Sequence, residues 1–238
     1  MRSIPLTASP VPTSPNANPS QHRRLIGLTG GVGMGKTTIS RYLATTYQLP
    51  ILDADIYARD AVKPGSEILA EIIERYGTGM LLPDRTLDRR HLSHIIFRSA
   101  AERLWLEQRI HPYVREHFVQ ALQSMGASPT VVLVVPLLFE ARMRDLVTEV
   151  WVVYCDLDQQ TERMMQRDSG NTEGGDRLNR EQIQARIDSQ MAIDRKIASA
   201  DILLYNSTTP EALYEQVDAA LQLPKDKNLT KVSVQAVI

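Results

Sequence analysis

The glycine-rich segment Leu25–Thr38, with the sequence LIGLTGGVGMGKTT, carries residue types and a spacing that suit phosphate chemistry. Its centre, Gly30-x-x-x-x-Gly35-Lys36-Thr37, matches a phosphate-binding loop between a strand and a helix. Glycines let the backbone curl so that N–H groups point at an anion, while an exposed Lys36 reaches phosphate oxygens and the Thr37 hydroxyl binds Mg²⁺. A glycine-rich turn that binds nothing is the alternative, and the strand–loop–helix setting disfavours it. The expected nucleotide-binding residues are Gly31, Val32, Gly33, Met34, Gly35, Lys36, Thr37 and Thr38.

Two carboxylates, Asp53 and Asp55, follow the short apolar run PIL. The carboxyl ends of strands line the ligand crevice of an open parallel sheet, so these acids should face the phosphate loop. A spacing of two points both side chains the same way if the extended conformation continues. The alternative is that one of them caps a helix beginning near Ile56.

The unbroken apolar run Thr130–Val135 predicts a central strand that is buried on both faces. In many phosphate-loop proteins an acid follows this strand directly, but here the chain continues as PLLFE and reaches Glu140. The Mg²⁺ shell therefore needs another acid, and we expect Asp53 to supply it, through water.

The elements that must position these groups alternate between strands and helices, which predicts a doubly wound α/β fold with five parallel strands. The other strands are expected at Glu149–Cys155 and Asp201–Tyr205, with a closing helix at Pro210–Leu221. We expect residues 23–60, 129–158 and 201–223 to form the nucleotide-binding core and residues 61–128 a helical substrate-binding domain. Helices are predicted in that domain at Ser66–Tyr76, Arg89–Phe97 and Ala101–Gln123, the last interrupted at His111-Pro112.

The charged segment Gln159–Ala200 predicts a helical lid with a flexible loop at SGNTEGGD. Its Arg163 and Arg167 stand four residues apart and share a helix face. With Arg186 and Lys196 they make the most concentrated basic patch of the chain. An ordinary solvated face with ion pairs is the alternative, whereas a lid would bring cations to the transferring phosphoryl group and exclude water.

Composition limits the remaining functions. The 238 residues include 27 basic and 28 acidic side chains, so no global field draws the protein to nucleic acid or to a membrane. A single cysteine, Cys155, fits a reducing compartment, and we expect a cytoplasmic monomer or weak homo-oligomer. Residues 1–22 are predicted to be a disordered tail, with a transit peptide as the second choice. Residues 224–238 are predicted to be a frayed tail, although their alternation could form an edge strand.

Taken together, the motifs resemble the dephospho-coenzyme A kinase family in order and spacing over Arg24–Leu221. Met34 departs from this resemblance, because serine is usual at its position in the loop. The matching segments are GLTGGVGMGKTT, LDADIYAR, LDRRHLSHIIF, His111-Pro112, VVPLLFE, ERMMQRD, and ARIDSQ with Lys196 and Ala200-Asp201.

The resemblance implies transfer of the ATP γ-phosphoryl group to the ribose 3′-hydroxyl of dephospho-coenzyme A, with Mg²⁺. Asp55 is then the candidate base, Lys36 and Arg167 complete the catalytic set, and Thr37 and Asp53 hold the metal. The candidate substrate-binding residues are Asp55, Arg59, Arg89, His111, Glu140 and Arg163. The nearest alternative is a kinase for another small hydroxyl compound, such as a nucleoside monophosphate or shikimate. A GTP-driven switch would need a guanine-reading Asn-Lys-x-Asp element, and this sequence contains none. A nucleic-acid-stimulated ATPase would need a basic face, which this sequence does not predict.

Overall fold

The computed structural model describes residues 23–126, 130–170, 179–223 and 232–233, without the side chains of residues 167–170 and 232–233. The predicted N-terminal tail, most of the C-terminal tail, residues 171–178 of the lid loop and the Arg167 side chain therefore lie outside the described part. Within that part, no helix is both long enough and apolar enough to cross a membrane.

The described residues contain one parallel sheet with the strand order β2-β3-β1-β4-β5-β6. The predicted α/β class and its five core strands are confirmed, and a two-residue sixth strand pairs with β5 at the edge. The strands are β1 Arg24–Gly30, β2 Ile51–Asp53, β3 Thr130–Val134, β4 Glu149–Tyr154, β5 Ile202–Tyr205 and β6 Val232–Ser233.

Several helices begin where a short polar side chain accepts one of the first free backbone N–H groups. Ser66 accepts from Leu69 before α3, and Thr209 accepts from Ala212 before α9. The helices are α1 Lys36–Thr46, α2 Ala54–Asp60, α3 Glu67–Tyr76, α4 Arg89–Arg98, α5 Ala100–Ser124, α6 Leu157–Gly170, α7 Arg180–Asp188, α8 Ile193–Ala198 and α9 Pro210–Gln222.

Both faces of the sheet are covered, and β3 shows how the chain achieves this. Alternate side chains of a strand point to opposite faces. Val132 and Val134 belong to the core under α1 and α9, whereas Val131 and Leu133 belong to the core under α5. An unbroken apolar strand is therefore what a central position between two helical layers requires.

The longest helix, α5, runs through Pro112 without ending, so the predicted interruption at His111-Pro112 is wrong. Proline removes one backbone donor and costs about 3 kcal/mol inside a helix. Packing at both ends of α5 offsets that cost. Leu106 lies in the core of the helical insertion, while Val114 and Phe118 lie in the core against the sheet. One helix thereby joins the core of the helical segment to the core on the sheet.

Candidate active site

The phosphate loop leaves β1 at Gly30 and enters α1 at Lys36, as the spacing predicted. Gly30, Gly33 and Gly35 have φ angles of 146°, 77° and 102°, in the region that favours glycine. Space is equally restrictive. A Cβ on Gly35 would lie 2.1 Å from Nδ2 of Asn206, and a Cβ on Gly30 would lie 2.4 Å from the carbonyl oxygen of Val153. The loop curls because its glycines permit it, and its neighbours close around the bare backbone.

Lys36 is half-buried, and its ammonium donates 2.8 Å hydrogen bonds to the carbonyl oxygens of both Gly30 and Gly31. The expectation of an exposed Lys36 is therefore wrong. The side chain folds back over the loop. There its ammonium donates to two carbonyl oxygens, so its positive charge lies at the loop. Thr37 and Thr38 follow in the first turn of α1, and the Thr37 side chain is exposed.

A cavity of about 380 Å³ opens beside the loop. Arg163 of α6 lines it, and the Nη1 atom of this guanidinium is buried without a hydrogen-bond partner among the described residues. A buried cationic donor without a partner is costly unless an anion completes it. The other residues that line the cavity come from the phosphate loop and the first turn of α1, from α6, and from the segment that follows β5. They are Gly33, Gly35, Thr38, Gln166, Asn206, Thr208 and Pro210.

Asp53 and Asp55 adopt different positions because the extended conformation stops at Asp53. The helix α2 begins at Ala54, earlier than expected, and Asp53 is its N-cap, accepting a 2.9 Å hydrogen bond from the Asp55 N–H. The two side chains consequently do not share one strand face. Asp53 is half-buried at the strand end, whereas Asp55 is exposed in the first turn of α2.

Burial raises the pKa of Asp53, while the nearby charges of Arg59 and Lys36 oppose that rise. A carboxylate whose ionised form is under-solvated gains from a cation beside it. Asp53 and the Thr37 hydroxyl are hard oxygen donors of the kind that Mg²⁺ takes, and Mg²⁺ usually completes its shell with water and substrate phosphates. The described residues hold no group of three or more His, Cys, Asp or Glu side chains placed for a metal. The donors present thus fit a metal that is held mainly by the nucleotide.

Two arginines from different helices meet at the insertion. Nη2 of Arg89, in the first turn of α4, donates to the carbonyl oxygen of Arg59 in α2 at 3.2 Å. Burial and the charge of Arg59 lower the pKa of Arg89. Two guanidinium groups brought together in this way repel each other, and an anion between or beside them would relieve that repulsion. Asp55 lies one turn before Arg59 on the same helix.

His111 and Glu140 form the other part of the predicted substrate site. Burial lowers the pKa of His111, against the opposing charges of Glu107 and Glu140. The imidazole is therefore neutral at neutral pH and can both donate and accept a hydrogen bond. Glu140 Oε2 is buried without a hydrogen-bond partner among the described residues. The structure thus leaves one carboxylate oxygen on this side open to a donor.

The predicted basic patch of the lid is not one surface. Lys196 is completely buried, and its Nζ lies 3.0 Å from Glu140 Oε1 and 2.8 Å from the carbonyl oxygen of Pro136. Arg186 lies over the ring of Phe97, with its guanidinium carbon 5.4 Å from the ring centroid. Arg163 faces the nucleotide cavity. The grouping of Lys196 with solvent-facing lid arginines is therefore wrong.

Sequence reasoning missed three amide side chains that contact the phosphate loop. Asn206 donates to the Met34 carbonyl at 2.9 Å, Gln160 donates to the Val32 carbonyl at 2.7 Å, and the Val32 N–H donates to Gln190 Oε1 at 3.0 Å. Asn206 directly follows β5, so the strand-end rule that selected Asp53 could also have found it. Gln190 ends the segment ARIDSQ that carries the family resemblance, whereas Gln160 gave no such signal.

Comparison with known proteins fits this geometry. The sequence model of the dephospho-CoA kinase family matches residues 24–211. The chain belongs to this family. The dephospho-CoA kinase of Trichormus variabilis is 52% identical over 199 residues, which cover 84% of this chain and 97% of that protein. The dephospho-CoA kinase of Synechococcus elongatus is 46% identical over 200 residues, covering 84% of this chain and 92% of that protein.

Two solved structures share the fold. A Thermus thermophilus protein of known structure is 31% identical, with a TM-score of 0.68, and the match covers 84% of this chain and 97% of that chain. The dephospho-CoA kinase from Campylobacter jejuni has the same fold, with a TM-score of 0.59 and 24% identity over 83% of this chain and 95% of that chain.

Proposed function

We propose that this protein transfers the γ-phosphoryl group of ATP to the ribose 3′-hydroxyl of dephospho-coenzyme A, giving coenzyme A and ADP. The observation that carries the proposal is the placement of a complete phosphate loop beside two sets of anion-binding groups. Lys36 and Arg163 lie on the nucleotide side. Arg59 and Arg89 lie on the insertion. A kinase that transfers a phosphoryl group between two phosphate-bearing substrates needs cations on both sides of the reacting atoms.

On the nucleotide side, the loop N–H groups and the start of α1 receive the β- and γ-phosphates. Lys36 is already held over the loop by two carbonyls, so little of its conformational freedom remains to be lost when phosphate arrives. The unpartnered Nη1 of Arg163 completes its hydrogen bonding on the same anion. The base and ribose then occupy the cavity between Gly35 and Pro210.

Thr37 and Asp53 are the residues that would hold Mg²⁺ with the nucleotide phosphates. When bound, such an ion neutralises charge on the transferring group. Asp53 contributes to this site as a half-buried carboxylate whose position is fixed by the α2 cap.

On the acceptor side, Asp55 is the candidate base because its carboxylate is exposed in the first turn of α2, beside the strand end that faces the loop. A ribose hydroxyl is a weak nucleophile, and phosphoryl transfer depends chiefly on position and on charge neutralisation, with the proton leaving late. Asp55 accepts that proton as the bond from the ribose oxygen to the γ-phosphorus forms and the bond from the γ-phosphorus to the β,γ-bridging oxygen breaks, so that ADP leaves. Arg59 and Arg89 hold the diphosphate of the acceptor, His111 can donate a hydrogen bond to the acceptor, and Glu140 can accept one from a hydroxyl or amide of it.

We propose that residues 159–200 act as a lid that excludes water from the transferring group. Arg163 and Arg167 are its candidate cations. The contact of Arg186 with Phe97 supports this role, since it joins the lid to the insertion across the acceptor side.

The proposal is tested by an ADP-release assay with dephospho-coenzyme A, nucleoside monophosphates and shikimate as acceptors, and with the product mass determined. We expect the highest kcat/KM for dephospho-coenzyme A and a product heavier by one phosphoryl group. Preference for another acceptor would overturn the proposal.

A variant pair tests the acceptor site separately. Arg89→Ala should raise the KM for dephospho-coenzyme A by about tenfold or more, since a charge-assisted contact is worth about 1.5–3 kcal/mol, and should leave the KM for ATP unchanged. Arg98→Ala is the matched control, because Arg98 lies exposed at the other end of the same helix. Equal effects of the two variants would exclude Arg89 from the acceptor site.

A further inference from the structure

One residue of the phosphate loop, Val32, has both of its backbone groups bound by lid side chains. The Val32 N–H donates to Gln190 Oε1 at 3.0 Å, and the Val32 carbonyl accepts from Gln160 Nε2 at 2.7 Å. The N–H can only donate, so the amide of Gln190 must present its oxygen to it. Gln160 is 2% exposed. The loop tip is thus fixed from two different parts of the lid.

Gln190 lies in the turn between α7 and α8, and its neighbour anchors that turn. The Met191 N–H donates to Glu140 Oε1 at 2.9 Å. The same oxygen lies 3.0 Å from Nζ of Lys196, which also donates to the Pro136 carbonyl. An unbroken series of polar contacts therefore leads from the loop at Val32, through Gln190 and Met191, to the segment that follows β3.

The anchor is firm because Lys196 is completely buried. A buried ammonium must keep its counter-charge and its acceptors, since leaving it unpaired is strongly unfavourable. Glu140 is held by that requirement, and the turn is held by Glu140. Gln190 therefore has little freedom to leave the Val32 N–H.

We propose that Gln190 is a positioning residue for the phosphate loop, and that the buried Glu140–Lys196 pair fixes it there. The contacts of Gln190 with the loop do not depend on the proposed function.

The direct test is Gln190→Met, which keeps the length of the side chain and removes the acceptor oxygen. Exchange of the Val32 amide hydrogen, followed by NMR, should become about tenfold faster or more, since its protecting bond is lost. The dissociation constant for ADP, measured calorimetrically, should rise about 2- to 12-fold, as expected for a lost hydrogen bond of ordinary strength. In turnover, the KM for ATP should rise more than kcat falls.

The matched control is Gln184→Met on α7, where the glutamine is exposed and donates to Asp188. It should leave both measurements within about twofold of the parent. If Gln190→Met also leaves Val32 exchange and ADP affinity within that limit, Gln190 does not position the loop and the proposal is overturned.

The double variant Glu140→Met/Lys196→Met tests the anchor. Replacing both members of a buried ion pair by apolar residues is often tolerated, so the protein should fold. Because the Met191 N–H loses its acceptor, Val32 exchange should again accelerate. Parent-like exchange at Val32 would overturn the part of the proposal that links Gln190 to the ion pair.

Neither amide exchange nor ADP binding requires an acceptor substrate. A protein that fails to phosphorylate dephospho-coenzyme A but responds to Gln190→Met as expected would contradict the proposed function alone. A protein that phosphorylates it and does not respond would contradict this inference alone.

Discussion

Gly35→Ala is the substitution whose effect the structure defines most closely. Gly35 has φ 102° and ψ 16° at the start of α1. A Cβ there would lie 2.1 Å from Nδ2 of Asn206, closer than any contact allows. Asn206 must therefore move, and its movement breaks the 2.9 Å hydrogen bond to the Met34 carbonyl.

The cost has separable parts. An alanine in the left-handed region costs about 1–2 kcal/mol. The lost hydrogen bond costs about 0.5–1.5 kcal/mol. The unfolded chain of the alanine variant is less flexible, and this offsets about 0.4–1 kcal/mol of the destabilisation. The free energy of unfolding should therefore fall by about 1–3 kcal/mol, which lowers Tm by about 2–12 °C for a chain of this size. The ADP dissociation constant should rise about tenfold or more, because loop N–H groups and a wall of the cavity are displaced.

Gly65→Ala is the matched control. Gly65 has φ +88°, and a Cβ there would meet nothing within 4 Å. This variant has the conformational cost alone, so its Tm should fall less and its ADP affinity should match the parent. Scanning calorimetry and titration calorimetry with ADP provide both measurements. Equal Tm and equal ADP affinity for the two variants would refute the reasoning that Asn206 closes on Gly35.

Three other predictions concern charged groups. Lys36→Ala should lower single-turnover transfer by about 100-fold or more, and a loss below about tenfold would contradict its place on the phosphates. Asp55→Asn should lower kcat by about 10²- to 10⁴-fold at any Mg²⁺ concentration, whereas Asp53→Asn should regain activity as Mg²⁺ is raised; rescue of the Asp55 variant instead would reverse the two roles. Hydrogen bonds from Arg75, with a smaller one from a neighbouring tyrosine, lower the pKa of Glu102 from 4.5 to about 2. Because this pKa is lower in the folded state, ionised Glu102 stabilises the fold above the unfolded-state pKa, and this stabilisation is lost as the pH falls from about 5 to 2. Glu102→Gln should therefore make the free energy of unfolding, measured with urea, depend less on pH in this range. An unchanged dependence on pH would contradict this.

The parts of the fold that the sequence predicted are those set by local chemistry. Apolar runs such as Thr130–Val134 form strands because both faces of the sheet are covered. The phosphate loop has its predicted shape because glycine alone tolerates the φ angles of Gly33 and Gly35. Helix starts at polar caps, such as Ser66 before α3, follow the same local logic.

The failures concern features that tertiary packing decides. Lys196 looked like a lid cation because charged residues usually face solvent, but a carboxylate brought from Glu140, far away in sequence, allows its burial. Pro112 looked like a helix end, but two hydrophobic cores hold α5 on either side of it. No local sequence pattern identifies partners that lie so far away along the chain.

The contacts between the proposed lid and the phosphate loop also bear on how Arg163 would act. Gln160 and Gln190 hold two parts of the lid on Val32, and a Cβ on Gly33 would lie 2.9 Å from the Met164 side chain, so α6 is already packed against the loop. Under the proposed function, Arg163, adjacent to Met164, would therefore reach the cavity beside the loop from a helix that is in place before the acceptor binds. A preorganised cation need not be reoriented during transfer, which is where electrostatic stabilisation is most effective.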